Sequence, residues 1–188
     1  MTETPNPHII DADTLTGGLR PIRRVVLSLG SNVGDREANL QGGLNTLADT
    51  PELDVVAVSP VYETENPDDF GTAAPLLSAI VLADSTLPAR SLLERALAVE
   101  DAYGRERSEP GAPRTLDVDL ITVGDRVIDE PGFQLPHAKA YRRAFVVLPW
   151  AAIEPDGALP GHGQVADLVP NVDASGTTKV DGVEIYVE

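Results

Sequence analysis

Residues Leu116-Asp117-Val118-Asp119-Leu120 alternate strictly between apolar and acidic side chains. A β-strand sends successive side chains to opposite faces, so Leu116, Val118 and Leu120 share a face that can be buried, and Asp117 and Asp119 share the other. The two carboxylates then stand one pleat apart, with Cα atoms about 7 Å from each other. Like charges held that close repel unless a cation lies between them or one is protonated. Magnesium suits such a pair, because it is hard, takes oxygen ligands and binds one or two carboxylates together with substrate phosphates. Two ions about 4 Å apart, bridged by such carboxylates, can clamp a triphosphate for in-line attack. The same alternation also fits a half-exposed strand whose outer face happens to carry aspartates, and spacing alone does not separate the two readings.

The elements around this strand limit its context. Val25 to Leu29 is a short apolar run with β-branched residues, bounded by Gly30, and reads as a buried strand. A turn over Gly30 to Gly34 leads to Asp35, which can cap a helix whose apolar face is Leu40, Leu44 and Leu47. Gly42 and Gly43 inside that helix each cost about 1 kcal/mol relative to alanine, so it needs tertiary support. Residues 53 to 63 predict a second strand, Thr64 to Pro75 a loop, and Leu76 to Ala83 a third strand. A second helix starts near Pro88, with Ser85 or Thr86 as cap, a stripe of Leu92, Ala96, Val99 and Tyr103, and Gly104 at its end. A loop over Arg105 to Pro113 precedes the aspartate strand, and Phe145 to Ile153 reads as a further helix. The order strand, helix, strand, strand, helix, strand predicts an α+β fold: a ferredoxin-like βαββαβ core, its antiparallel sheet carrying helices on one face. We expect a flexible tail over residues 1–22, one domain over 23–170, and a second tail over 171–188.

Composition narrows the function. The 188 residues suit a single domain, and the absence of cysteine rules out thiolate metal sites and cysteine nucleophiles. No apolar run reaches the roughly 20 residues of a membrane helix, and the first residues lack the layout of a signal peptide, which predicts a cytoplasmic protein. The net charge of −16 argues against nucleic-acid or anionic-membrane partners. It also makes two basic clusters informative, Arg105 with Arg107 and Arg114, and Lys139 with Arg142 and Arg143. Guanidinium groups grip phosphate oxygens in bidentate fashion, and arginines on a loop before the aspartate strand could close over a polyphosphate. A solvated arginine face would look the same. His137, five residues before Arg142, could donate to a phosphate oxygen. No Walker or dinucleotide-binding glycine pattern is present.

Several segments, in order, carry a resemblance: Leu29-Gly30-Ser31-Asn32-Val33-Gly34-Asp35, Val61-Tyr62-Glu63-Thr64, Gly104-Arg105-Glu106-Arg107, Pro113-Arg114-Thr115-Leu116-Asp117-Val118-Asp119-Leu120, Leu135-Pro136-His137 and Arg143-Ala144-Phe145. Over about residues 24 to 155 the chain resembles the 6-hydroxymethyl-7,8-dihydropterin pyrophosphokinases of folate biosynthesis. The resemblance implies transfer of the β,γ-pyrophosphate of ATP to the hydroxymethyl group of the reduced pterin, giving AMP and the pterin diphosphate. It implies Asp117 and Asp119 as ligands of two magnesium ions, and Arg105 and Arg114 as catalytic loop arginines. It implies Glu100, Arg107, Leu120, His137 and Arg143 on the ATP side, and Thr64, Ser78 and Phe145 on the pterin side. A monomer acting only on small molecules is expected.

The chain departs from the family pattern on the pterin side. Leu76 and Ser78 stand where the family has an aromatic residue and an asparagine, and the stretch Glu109-Pro110-Gly111-Ala112-Pro113 lacks the usual tryptophan. Three alternatives follow: a divergent relative with another acceptor, a palm-like two-metal nucleotide enzyme, and a non-catalytic effector-binding module. A palm-like enzyme usually carries a further acidic ligand on the first strand, and Val25 to Leu29 has none.

Overall fold

The computed structural model describes residues 19–65, 67, 74–106 and 112–188, and among these described residues there are ten strands and four α-helices. They run β1 (Arg23–Ser31), α1 (Arg36–Ala48), β2 (Leu53–Val58), β3 (Tyr62–Thr64), β4 (Leu76–Ser85), α2 (Ala89–Ala102) and β5 (Asp117–Val123). After these come β6 (Ile128–Glu130), β7 (Phe133–Leu135), α3 (Ala144–Ile153), β8 (Ala158–Leu159), β9 (Gly163–Gln164), α4 (Val165–Leu168) and β10 (Thr177–Lys179). The main sheet has the order β10-β3-β4-β1-β5, with β2 beside β3 on the same side of β4, and every pairing is antiparallel. β1, β4 and β5 thus meet as a ferredoxin-like βαββαβ core requires.

The single strand expected over residues 53 to 63 is two strands, β2 and β3, both laid against β4. Pro60 causes the break, because it has no N–H to give to a ladder. Ser59 patches the gap: its N–H donates to the Ile80 carbonyl at 2.9 Å and its Oγ accepts from the Ile80 N–H at 2.8 Å.

α1 and α2 lie on one face, where Leu40, Leu44 and Leu47 meet Leu92, Ala96 and Val99 over Leu27 and Leu29 of β1. Asp35 caps α1 by accepting from the Ala38 N–H at 3.1 Å. Its two glycines are spacers: a methyl on Gly42 would overlap the Tyr103 ring, and one on Gly43 would come within 2.8 Å of Leu116. Neither Ser85 nor Thr86 caps α2; Pro88 holds that position without a side-chain bond.

The third helix departs from the one-sided arrangement. α3 packs Phe145, Val146 and Trp150 on the opposite face, against Val26, Ile80, Leu82 and Ile121. Its sequence AFVVLPWAAI is apolar all round, and such a helix must be buried rather than laid on a surface.

The segment expected as a tail over 171–188 is also ordered against the domain. β10 extends the sheet beyond β3, and Ile185 is buried with Val180 and Val183 packed beside it. The apolar residues of this segment are too irregularly spaced to show a period. Among the described residues, no helix is long and apolar enough to cross a membrane.

Candidate active site

β5 is an edge strand of the main sheet. Val118 and Leu120 enter the core beneath α2, and Asp117 and Asp119 project from the other face. A methyl group built on Gly30 would lie 3.0 Å from Leu76 Cδ1 and 3.8 Å from Asp117 Cβ, which places Asp117 over the same face as Leu76 and α3. The alternation in the sequence therefore became the expected two-faced strand.

Arginines close on both carboxylates. The Arg114 guanidinium donates to Asp117 Oδ1 at 2.8 Å, and Arg105 pairs with the same oxygen at 2.5 Å. Arg143 reaches Asp119 Oδ2 at 3.2 Å, and His137 Nε2 stands 3.7 Å from that oxygen. Arg143 caps α3 at its N-terminus and also lies 5.2 Å above the centre of the Phe145 ring, so one guanidinium serves an anion and an aromatic face. Glu100, at the end of α2, is fully buried. Its Oε1 accepts from the Val118 N–H at 2.8 Å and pairs with Arg105, which ties helix, strand and arginine together.

Burial dominates the electrostatics. Asp117 is pushed up to about 6 by desolvation and by the charge of Asp119, against the pull of Arg114, Arg105 and Arg143. Asp119 is also raised, by burial first, with Arg143 opposing. His137 is lowered to about 4 by burial and by the Arg143 charge, so its imidazole is neutral at pH 7. Its Nδ1 accepts from the Lys139 N–H at 3.2 Å, which leaves the proton on Nε2, the nitrogen facing Asp119. The ring is seated by the His137 N–H, which donates to the Ile121 carbonyl at 2.9 Å. A slip of register between β1 and β5 leaves Ile121 unmatched and frees that carbonyl.

These groups border a cleft of about 880 Å³. Glu100, Arg105, Arg114, Asp119, Leu120, His137 and Arg143 all line it, with the β6–β7 hairpin and the exposed side of α2 as outer walls. Arg142, next to Arg143, faces solvent instead. Arg107 lies outside the described residues.

The donor set fits magnesium. Among the described residues no group of three or more His, Cys, Asp or Glu side chains could hold a metal ion, and Asp117 and Asp119 are the pair that β5 presents. An ion held by two carboxylates takes water and phosphate oxygens as its other ligands, which is how magnesium binds.

Thr64 and Ser78 lie on the far side of Gly30 from β5, and Phe145 packs on the same face, the one that carries the aspartates. In the sheet register Asp117 pairs with Gly30, Gly30 with Ser78, and Ser78 with Tyr62, while Thr64 pairs with Leu76. All three predicted residues are buried, and among the described residues Ser78 Oγ has no hydrogen-bond partner. Two residues of this region went unassigned in the sequence. Asn32 accepts the Arg114 N–H on its side chain at 2.7 Å and the Ala74 N–H on its carbonyl at 3.4 Å. Arg36 donates to Glu63 at 2.8 Å and to the Pro75 carbonyl at 2.6 Å. Asn32 stands within the quoted Gly-Ser-Asn turn, a signal that could have marked it; Arg36 had none.

Comparison with known proteins identifies the family and the fold. Residues 26–155 match the family model 7,8-dihydro-6-hydroxymethylpterin-pyrophosphokinase (HPPK). A 2-amino-4-hydroxy-6-hydroxymethyldihydropteridine pyrophosphokinase of Methylorubrum extorquens is 37% identical over 158 residues, covering 84% of this chain and 99% of that protein. One of Mycobacterium bovis is 39% identical over 152 residues, covering 74% and 77% of the two chains. A crystal structure of Plasmodium falciparum HPPK-DHPS superposes with a TM-score of 0.63 at 11% identity, over 82% of this chain. This chain spans 46% of that longer one, and the likeness establishes the fold. With the family model matched over most of its length, the chain belongs to the 7,8-dihydro-6-hydroxymethylpterin pyrophosphokinase family.

Proposed function

We propose that the cleft transfers the β,γ-pyrophosphate of ATP to the hydroxymethyl group of 6-hydroxymethyl-7,8-dihydropterin, with the residues gathered around β5 as its machinery. As a family member the chain is an ATP-dependent pyrophosphokinase of folate biosynthesis, and magnesium-dependent as that family is. The observation that carries the residue assignment is the paired carboxylates on one face of an edge strand, met by Arg105 and Arg114 from the α2–β5 connection and by Arg143 from the start of α3.

In this reading Asp117 and Asp119 hold two magnesium ions against the triphosphate. Bound there, the ions neutralise charge on the phosphate oxygens. Arg105 and Arg114, released from Asp117, turn to the transferring phosphates. Arg143 and the neutral His137, through its Nε2–H, bind further phosphate oxygens. Leu120 and Arg107 belong to the ATP side, and Glu100 fixes β5 and Arg105. On the acceptor side Ser78 offers its unpartnered hydroxyl, Thr64 bounds the pterin pocket, and Phe145 supplies an aromatic face. Attack of the substrate hydroxyl on the β-phosphorus requires alignment and charge neutralisation, and no side chain here has to remove the proton. The reading also includes a monomer working in the cytoplasm, which suits the strongly acidic surface.

A palm-like nucleotide enzyme is disfavoured by the residues beside the aspartates. Ser28 pairs with Asp119 and Gly30 with Asp117, so β1 offers no third carboxylate. Incubation with ATP, magnesium and the reduced hydroxymethylpterin should yield AMP and the pterin diphosphate in equal amounts. Formation of ADP, or ATP turnover that ignores the pterin, would refute the assignment.

A further inference from the structure

β3 is only three residues long, and it carries Thr64 at its end. Strands this short hold their place poorly on one ladder alone. Here a second ladder supports it from the outside. β10 pairs with it residue for residue, Thr177 with Thr64, Thr178 with Glu63 and Lys179 with Tyr62. Past the end of β3 the Glu65 N–H donates to the Gly176 carbonyl at 2.9 Å, and before its start the Val180 N–H donates to the Val61 carbonyl at 2.9 Å. Thr64 Oγ1 and Thr177 Oγ1 lie 3.1 Å apart, both buried. Gly176 takes a positive φ of 74°, and a side chain there would crowd Glu65.

The segment that supplies β10 is itself anchored far from the site. Ile185 is buried beneath the α1 face, and the Gln41 side chain grips the Tyr186 backbone twice, donating to its carbonyl at 2.7 Å and accepting its N–H at 3.1 Å. The segment from Gly176 to Tyr186 lies beyond residues 26–155, the part matched by the family model. On the inner side the same short strand leads to the site, since Tyr62 pairs with Ser78 and Ser78 with Gly30, next to Asp117.

We propose that β10 is a positioning strand for the acceptor, and that Thr177 is its positioning residue, acting through Thr64. The proposal rests on the reading of Thr64 as an acceptor-side residue. The Thr177 hydroxyl fixes the rotamer of Thr64, and the Gly176 carbonyl fixes the Glu65 amide, so the stem of the acceptor pocket is set before substrate arrives. A group that pre-orders one substrate's pocket changes the affinity for that substrate and leaves the other substrate's affinity alone. The nucleotide cleft is lined from α2, β5 and the segment around His137, none of which touches β10 in the main sheet.

The test compares Thr177→Val, which keeps the shape and removes the hydroxyl, with Thr177→Ser, which keeps the hydroxyl. Loss of one buried hydrogen bond corresponds to about a fivefold effect. T177V should raise KM for the reduced hydroxymethylpterin by about that factor, with KM for ATP unchanged, and T177S should restore it. Equal KM values in T177V and wild type overturn the proposal, as does a parallel rise in both KM values, which marks a merely structural role. Thr64→Val separates the proposal from its premise. If T64V raises the pterin KM and T177V does not, the positioning strand fails while the reading of Thr64 stands. If T64V has no effect, the reading of Thr64 fails and takes the proposal with it. A second measurement uses the unmodified protein: hydrogen exchange at the Glu65 amide should slow further when the pterin binds in the presence of magnesium and a non-hydrolysable ATP analogue. Exchange unaltered by the pterin overturns the proposal even if T177V does not fold.

Discussion

Asp117 and Ser78 stand in one row across the sheet with only Gly30 between them. In the proposed reading the carboxylate belongs to the phosphate side of the site and the hydroxyl to the acceptor side. At roughly 4.8 Å per strand the two backbones are about 10 Å apart, a span that an attacking hydroxymethyl group and a β-phosphorus can share. The missing side chain at Gly30 is what keeps the row open. Gly30→Ala would put a methyl 3.0 Å from Leu76 Cδ1, tight enough that Leu76 must shift beside Ser78 and Asp117. We expect at least a tenfold loss in kcat/KM for the pterin, in line with the sensitivity of oriented reactions to small displacements. ATP binding, followed by calorimetry with a non-hydrolysable analogue, should stay within twofold of wild type.

Ser78 itself separates stability from function. Its Oγ is fully buried and makes no hydrogen bond among the described residues. An unsatisfied buried hydroxyl costs about 1–3 kcal/mol, so Ser78→Ala should make the protein more stable by about 1 kcal/mol. The same change should raise KM for the pterin, because the hydroxyl is kept for the substrate. Denaturant unfolding and steady-state kinetics on the one variant check both halves. A less stable S78A would mean that the hydroxyl has a partner, and its assigned role would fall.

How far the sequence carried this picture depends on which force decided each element. The faces of β5 were legible because alternation is a local property, and Leu116, Val118 and Leu120 left the aspartates one side only. The cap at Asp35 was legible for the same reason. The second face of the sheet was not, since Val26, Ile80 and Leu82 read as ordinary members of buried strands and nothing in them names α3 as their cover. β10 was hidden because Thr177–Lys179 has no apolar alternation; its place comes from a ladder with β3 more than a hundred residues earlier. In the site, the charged residues could be read in advance. Their division of labour could not: that Arg105 and Arg114 share one oxygen of Asp117, while Arg143 attends Asp119, is a tertiary fact.

On the proposed assignment of Asp117 as a magnesium ligand, its raised affinity for a proton sets a condition on metal binding. With its carboxyl at about 6, protons compete with magnesium for the same oxygens below that pH. The apparent magnesium affinity, measured in the presence of an ATP analogue, should therefore be nearly level above pH 7 and fall about tenfold per unit well below pH 6. Asp117→Asn should bind magnesium weakly at every pH and lose this dependence. Turnover should fall by at least a hundredfold in the same variant, the scale seen when one charge-stabilising group is removed.

Asp117 and His137 also act oppositely on folding stability. Asp117 has its pKa raised from the ordinary 3.8 to about 6, so between these values the folded state holds more protons than the unfolded one. Stability falls as pH climbs through that window. His137 has its pKa lowered from 6.5 to about 4, so over that range the unfolded state holds more protons and stability rises with pH. The two windows overlap between about 4 and 6, where the terms offset each other. Removing one group should unmask the other. Relative to wild type, His137→Gln should lose stability as pH rises from 4 to 6, and Asp117→Asn should gain it. Charge repulsion across the acidic surface is common to all three proteins and cancels in the differences. Urea unfolding at pH 4.5, 5.5 and 6.5 reads the slopes directly, and differences of the same sign in both variants would show that burial does not govern these two groups.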